Sequence, residues 1–387
     1  MTLRTHSDFE TAVEEGKARV RFSPQTARVF YNPKMSLNRD LAVLFASSYF
    51  PNSLELRVCD PTTASGVRAA RYALEVPNVA KVIAADRHPD AVELASQTVL
   101  LNGLEGRVSV VASDANLLLL NHVNERFNIV DLDPFGSPAP FFESSLRATT
   151  DGGILAATAT DMGPLSGARA AACVRKYGVR SVRTEFEKEM AVRILAGCLV
   201  TIAGRLELGI SIKFSHATDH YARLYAFVTK GRKAANESSA KLGFIQYCPT
   251  CLARQATYSL DSITINCEFC SGKTRIGGPI WLGSLWDSST VESMIQHTPT
   301  LRSSRLSEIQ KALACIKEET DSPPFYYTTG VVAKITKAKP VSLNRVLNIL
   351  KQEGFIASRT HFNPTGFHTN APANEIARLL RDTWNKP

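Results

Sequence analysis

The sequence predicts an α/β body on a mostly parallel sheet with an antiparallel edge hairpin, followed by a smaller α+β domain. Three observations predict this. Between residues 54 and 161, strand-like apolar runs alternate with helical stretches, and each of five such runs ends in or is followed by an acidic residue. Two more strand-like runs, 206–219 and 221–230, succeed one another across a short turn. Four of the eight cysteines then gather between residues 248 and 270. A chain of 387 residues, 44% apolar and 21% charged, has globular composition and suits two or three domains.

LELRVCD (54–60) is the first expected strand, followed by helix through Arg68, Ala70 and Leu74. KVIAAD (81–86) is the second, with a helix over about 89–101. RVSVVASD (107–114), FNIVDLDPF (127–135) and GGILAATATD (152–161) are the third, fourth and fifth. Acidic residues at the carboxyl ends of such strands mark a parallel sheet whose ligands bind beyond the strand ends. A long helix is expected over about 184–204, then the hairpin 206–219 and 221–230. The polar stretch GRKAANESSAK (231–241) reads as a linker. From residue 301 the pattern of short helices, a strand pair and the turn NPTG suggests a winged helix. There is no internal repeat.

The net charge of +9 is unevenly spread. Residues 231–387 hold 19 Lys and Arg against 12 Asp and Glu, whereas residues 1–230 are nearly balanced. A balanced front and a basic back suggest a catalytic body with an appendage for a polyanion; a solubility charge is the plain alternative. No run approaches the ~18 apolar residues of a bilayer span, and 194–204 reads as a packed helix. The start, MTLRTHSDFE, lacks an apolar signal core, so the expectation is a soluble cytoplasmic chain with no membrane contact. No obligate protein partner is inferred. Cys59, Cys173, Cys198 and Cys315 stand alone in apolar surroundings and read as small core residues.

A nucleotide-type cofactor needs a glycine-permitted turn after the first strand and a carboxylate after the second for the ribose hydroxyls. Asp60 followed by PTTASG supplies the turn, with Gly66 where backbone would approach the ligand. Asp86 is the ribose carboxylate candidate. Asp114 is placed to read an adenine amino group, beside the Ala115 N–H. With the edge hairpin, these positions favour S-adenosylmethionine (SAM) and the Rossmann-like sheet of its methyltransferases. A nicotinamide cofactor normally calls for G-x-G-x-x-G, which DPTTASGVRAA lacks. Solvated acids at strand ends are the plain alternative.

DLDPFGSP (131–138) follows the fourth strand. An exocyclic base amine is a poor nucleophile because its lone pair is delocalised. An acceptor for its N–H protons restores lone-pair character and takes up charge as the N–C bond forms. Asp133 is placed for this, Pro134 fixes a carbonyl as a second acceptor, and Phe135 can stack on the base. An ordinary Asp-Pro turn capping a strand is the competing reading.

The sequence resembles the archaeal-type tRNA guanine-26 N2-dimethyltransferase family, a group of class I SAM-dependent enzymes. EGKARV (15–20), VFYNPKMSLNRD (29–40), TASGVRAARYALE (63–75), SDAN (113–116), DLDPFGSP (131–138), TATDMGPLSG (158–167), GPIWLG (278–283) and THFNPTGFHT (360–369) carry the likeness nearly end to end. The resemblance implies that Arg39 and Arg68 help hold SAM, with Asp86, Asp114 and Ala115 in the ribose and adenine roles. It implies Asp133 as catalytic acceptor, Phe135 as a stacking wall and Phe30 as a second aromatic over the target base.

C-P-T-C and C-E-F-C, fifteen residues apart, have four-thiolate zinc spacing. Cys248, Cys251, Cys267 and Cys270 would fill all four positions of a structural Zn2+. His361, Arg359 and His368 are candidate tRNA contacts or ordinary loop residues, and Lys334, Lys337 and Lys339 candidate phosphate contacts.

The expected organisation is a methyltransferase domain over 1–232, with a substrate-binding segment 1–50, and a tRNA-binding domain over 233–387. The latter holds a zinc knuckle (248–270) and a winged-helix-like region (300–387). The expected activity transfers one or two methyl groups to the N2 amine of guanosine 26 in tRNA. The alternatives are an adenine or cytosine amino methyltransferase acting on DNA, a non-catalytic zinc-dependent RNA-binding protein on this fold, and, weakest, a nicotinamide oxidoreductase.

Overall fold

The computed structural model describes residues 11–22, 31–218, 220–336, 339 and 341–382. A hairpin of β1 (Thr11–Glu15) and β2 (Ala18–Phe22) precedes α1 (Ser36–Tyr49). The expected alternation follows: β3 (Leu56–Asp60), α2 (Val67–Glu75), β4 (Val79–Asp86), α3 (Pro89–Leu101), β5 (Val108–Ala112) and α4 (Ala115–Asn121). It continues through β6 (Phe127–Leu132), α5 (Phe142–Ala148) and β7 (Thr149–Ala159). Helices α6 (Met162–Leu165), α7 (Ala170–Tyr177) and α8 (Glu187–Arg205) lead into the hairpin β8 (Leu208–Thr218) and β9 (Tyr221–Lys230).

Strands β3 to β9 form one seven-stranded sheet in the order β5-β4-β3-β6-β7-β9-β8. β3 to β7 pair in parallel, and β9 runs antiparallel to β7 and β8. Helices cover both faces, which is why Val58, Cys59, Val82, Ala84, Val130 and Leu155 form near-continuous apolar runs rather than alternating ones. From β3 the chain builds outward through β4 and β5, then crosses to β6 on the other side. That reversal opens a crevice beyond the carboxyl ends of β3 and β6.

Some elements differ from expectation. β5 and β6 end at Ala112 and Leu132, so Asp114 and Asp133 stand just beyond the strands, in the loops over the crevice. Residues 231–241 are no loose linker: α9 (Arg232–Ser239) packs against β8 with Ala235 and Ser238 buried. Its small buried face is hidden by polar composition. Cys59, Cys173 and Cys198 are buried and Cys315 half-buried. Among the described residues no helix is long and apolar enough to cross a membrane.

The rest of the chain begins with a sheet of β10 (Leu242–Tyr247), β11 (Arg254–Thr257) and β12 (Arg275–Trp281), order β11-β10-β12. After α10 (Ser288–His297) comes the winged-helix arrangement: α11 (Leu306–Glu319), β13 (Tyr327–Thr328), α12 (Thr329–Thr336), α13 (Leu343–Gln352), β14 (Ala357–Arg359) and β15 (Gly366–Thr369). α14 (Ala373–Asp382) closes it. β13 joins β14 and β15 as a third strand that the sequence pattern did not show. This part is tied to α8 by buried ions. Arg193 donates to the Trp281 and Gly283 carbonyls (3.1 and 3.2 Å), and the Glu189 carboxylate accepts the Phe325 and Tyr326 N–H groups (2.9–3.1 Å).

His361 and His368 are correspondingly not surface contacts. Their side chains are 5% and 2% exposed and close on the fully buried Glu319 carboxylate of α11. His361 reaches it through its backbone N–H (3.1 Å) and Nδ1, and His368 through Nε2 (3.1 Å). The other His368 nitrogen, Nδ1, lies 2.8 Å from the Pro323 carbonyl, so the ring faces two acceptors and favours the doubly protonated form. Burial opposes that charge, yet the Glu319 bond and the field of Glu189 raise the His368 pKa above 6.5. Burial would raise the Glu319 pKa, but the two histidines hold it down at about 2.

A carboxylate with a depressed pKa stabilises the fold above its unfolded value and loses that contribution as pH falls. A histidine with a raised pKa stabilises below its unfolded value and loses that contribution as pH rises through the folded one. The clasp is therefore strongest between the ordinary values of 4.5 and 6.5. Glu319→Gln is expected to cost about 3–5 kcal/mol near pH 5.5 and less at pH 8. Thermal melts at the two pH values check this, and equal melting of variant and parent at both would show that the clasp carries no weight.

Candidate active site

The crevice holds a cavity of about 400 Å³, within the range of cofactor pockets. The strand ends, the loops beyond them and the first turns of α2 and α4 bring Asp60, Arg68, Asp86, Asp114, Ala115, Asp133, Pro134 and Phe135 to its wall. Arg39 joins them from α1. Phe30 lies outside the described residues.

Gly66 is not among the residues lining the cavity, although Ser65 and Val67 on either side of it are; it caps α2 at φ 75°, and a Cβ there would come 2.9 Å from the Ala95 backbone on α3. Its missing side chain permits that close helix packing. The turn that faces the cavity is made by Ala64, at φ 49°, whose N–H donates to Asp86 (3.1 Å).

Asp60 is buried, with one oxygen accepting from the Thr63 hydroxyl (2.8 Å) and the other without a partner among the described residues. Burial pushes its pKa up to about 7; Arg68 opposes this, while Asp131 and Asp133 add to it. The two oxygens of Asp86 accept from the Ala64 and His88 N–H groups (3.1 and 3.0 Å). Asp114 caps α4: one oxygen accepts from Asn116 and Leu117 N–H (2.9 and 3.3 Å), and Ala115 stands at the first helical position. An unpaired buried carboxylate oxygen suits a cationic amine, and acids beside a helix N-terminus suit ribose hydroxyls and an adenine edge. This donor and acceptor set fits SAM.

Arg39 is held by Glu15 of β1 through two bonds of 2.6 and 2.5 Å, and also donates to the Asn32 carbonyl (3.0 Å). Burial works against charge on Glu15, but Arg39, Tyr31 and Arg71 lower its pKa to about 2. Glu15 opens the segment EGKARV that carries part of the resemblance, but nothing in the sequence tied it to Arg39.

Asp133 keeps its side chain 18% exposed. Its N–H donates to the Thr62 hydroxyl (3.2 Å), and Arg68 anchors its Oδ2. Oδ1 has no partner among the described residues. Arg68 itself is buried and also donates to Asn38 (2.9 Å) and Asp131 (3.2 Å). Asp131 is wholly buried and accepts further from Tyr72 and Arg223, both at 2.7 Å. Burial opposes its charge, but Arg223 and Arg68 lower its pKa. A fixed ion lattice thus lies beneath Asp133. The sequence signal for it was Arg223, a charge inside the apolar strand YARLYAFV.

Phe135 is 75% exposed at the cavity wall. The loop that presents it is pinned to the end of β7: Gly136, at φ 86°, donates to the Thr160 hydroxyl (2.7 Å) and accepts the Thr160 N–H (2.9 Å).

Cys248, Cys251, Cys267 and Cys270 bring their sulfurs within 4.8 Å of one another, with two contacts of 3.5 Å. Four thiolates at ~2.3 Å from one Zn2+ would stand about 3.8 Å apart, so the set fits the ion. Two matching turns hold them: Leu252 N–H bonds Cys248 O (2.9 Å), and Ser271 N–H bonds Cys267 O (2.8 Å). Four protein sulfurs leave no open position, which makes the site structural. Three residues past Cys251, Arg254 pairs with Glu185, donates to the Tyr326 carbonyl (2.6 Å) and lies over the Tyr327 ring (3.5 Å).

The family model for N2,N2-dimethylguanosine tRNA methyltransferase matches residues 9–381. A tRNA (guanine(26)-N(2))-dimethyltransferase of Methanothermobacter thermautotrophicus is 36% identical over 95% of this chain and 98% of its own. The tRNA (guanine(26)-N(2)/guanine(27)-N(2))-dimethyltransferase of Aquifex aeolicus is 33% identical over 96% of this chain and 95% of its own. The structure of Trm1 from Pyrococcus horikoshii, solved with S-adenosyl-L-methionine, superposes with a TM-score of 0.86 at 32% identity, covering 96% of this chain and 99% of that one. With the crevice, the DPFG loop and these full-length matches in agreement, the chain belongs to the N2,N2-dimethylguanosine tRNA methyltransferase family.

Proposed function

We propose that this protein transfers one or two methyl groups from SAM to the exocyclic N2 amine of guanosine 26 in tRNA. The observation that carries this is Asp133: one carboxylate oxygen anchored by Arg68, the other without a partner among the described residues, beside an exposed Phe135 at a SAM-sized cavity.

SAM supplies a methyl already activated on a sulfonium. What is left to the chain is to grip, align and receive charge. Asp86 holds the ribose hydroxyls, Asp114 and the Ala115 N–H the adenine edge, and Asp60 and Arg39 the amino-acid end. The target base leaves its stack to enter the pocket. Phe135 stacks on it, with Phe30 as the second aromatic. Asp133 and the Pro134 carbonyl accept the amine hydrogens, restoring lone-pair character and countering the positive charge that develops on nitrogen. Arg68 belongs more to this step than to cofactor grip, because its donors fix the Asp133 carboxylate.

In this reading residues 1–232 form the methyltransferase domain, with segment 1–50 on the substrate side. Residues 233–387 form the tRNA-binding domain, whose basic surface supplies sequence-independent grip on phosphates. The protein works in the cytoplasm, where thiolates remain reduced for zinc.

Labelled methyl from SAM, offered with unmodified tRNA or duplex DNA, separates substrates. Incorporation into tRNA alone is expected, and incorporation into DNA alone overturns the proposal.

A further inference from the structure

A second and larger cavity, about 910 Å³, lies next to the first and shares Tyr31 with it. Its walls come from four separate parts of the chain: the β1 end of the hairpin, the segment entering α1, His220 between β8 and β9, and residues 302–305 ahead of α11. Residues 302–305 are fixed in place. Ser303 donates to Asp40 on α1 (2.6 Å), and the Arg305 guanidinium donates to the Lys34 carbonyl (3.3 Å). The groove is therefore a seam between the body and the C-terminal part, leading to the cavity that holds Asp133.

The charges in this groove are not equivalent. Two of its carboxylates are already spent: Glu15 on Arg39 and Arg71, and Asp40 on Arg71 at 2.6 Å. The cations differ too. The Lys34 ammonium has no partner among the described residues, whereas the Arg305 guanidinium is held by the Glu308 carboxylate and the Lys34 carbonyl. Arg302 meets Glu14 across the groove at 3.1 Å, with both side chains 65% exposed. An exposed pair of this kind is weak and easily exchanged. A phosphate oxygen entering the groove can replace Glu14 as the partner of Arg302, and the serine hydroxyls of residues 36 and 304 offer further hydrogen bonds.

We propose that this groove holds the sugar–phosphate backbone of the RNA strand flanking the extruded guanosine, with Lys34 and Arg302 contacting its phosphates and Arg305 fixing the Lys34 backbone. This rests on the tRNA reading above and adds where the strand runs. Glu14 acts as the placeholder that RNA displaces.

The test uses the full-length protein with an unmodified tRNA transcript, measuring tRNA affinity by filter binding without SAM, its salt dependence, and SAM affinity by calorimetry. Arg302→Gln is expected to weaken tRNA about five-fold and to reduce the salt slope by about one contact, with SAM affinity unchanged. Arg302→Lys, which keeps the charge, should restore most of the affinity. Glu14→Gln should tighten tRNA binding, a gain that damage to folding does not produce. Arg232→Gln, at the opposite end of the sheet, is the surface control. Unchanged affinity in both Arg302→Gln and Glu14→Gln, or an equal loss in the control, overturns the groove. Failure of the parent protein to bind or methylate tRNA at all would instead overturn the underlying function.

Discussion

Asp133→Ala is expected to reduce methyl transfer about 10²–10⁴-fold while leaving SAM affinity nearly unchanged. The reason lies in the two ends of the carboxylate. Arg68 holds one oxygen from a buried position, so the side chain does not have to be ordered when substrate arrives. The other is left for the amine hydrogens. Removing the group takes away an interaction that strengthens as charge develops on nitrogen, so the loss should appear in the single-turnover rate rather than in binding. Asp133→Asn keeps an acceptor oxygen without the charge and should fall between the parent and alanine. Retained turnover in the alanine variant would falsify the assignment of Asp133.

Replacing Cys248 and Cys251 together by serine is expected to release one zinc per chain and destabilise the C-terminal part by about 4 kcal/mol or more. The effect reaches beyond the knuckle because Arg254 leaves it to pair with Glu185 and to hold Tyr326 and Tyr327 of the winged helix. Without the ion the turn over 248–253 loses its fixed shape, and Arg254 loses its aim. Metal analysis with a thermal melt checks this. If zinc stays at one per chain in the double variant, the ligand set is wrong.

The sheet was legible because its signals are local. An apolar run ending in an acid can be seen within ten residues, and Asp60, Asp86 and Asp133 all reach the predicted crevice. The four cysteines were legible for the same reason, since their spacing is itself the signal. What escaped depends on partners far apart in the chain. Arg223 meets Asp131 across 92 residues, because strand order sets β9 two places from β6. Glu319 meets His368 across 49 residues, and nothing near either one announces it. The contact of Gly66 with α3 was hidden for a different reason: a glycine that admits a ligand and one that admits a neighbouring helix look the same in sequence. The α9 helix was missed because small residues carry its buried face, which leaves no apolar period to detect.

Nucleoside mass spectrometry of an unmodified tRNA transcript, after incubation with this protein and SAM carrying a deuterated methyl, tests the central claim most directly. The account predicts deuterated N2-methylguanosine or N2,N2-dimethylguanosine at position 26, and neither product from the Asp133→Ala variant. Label on a ring nitrogen, on another base, or absent from tRNA altogether would contradict it.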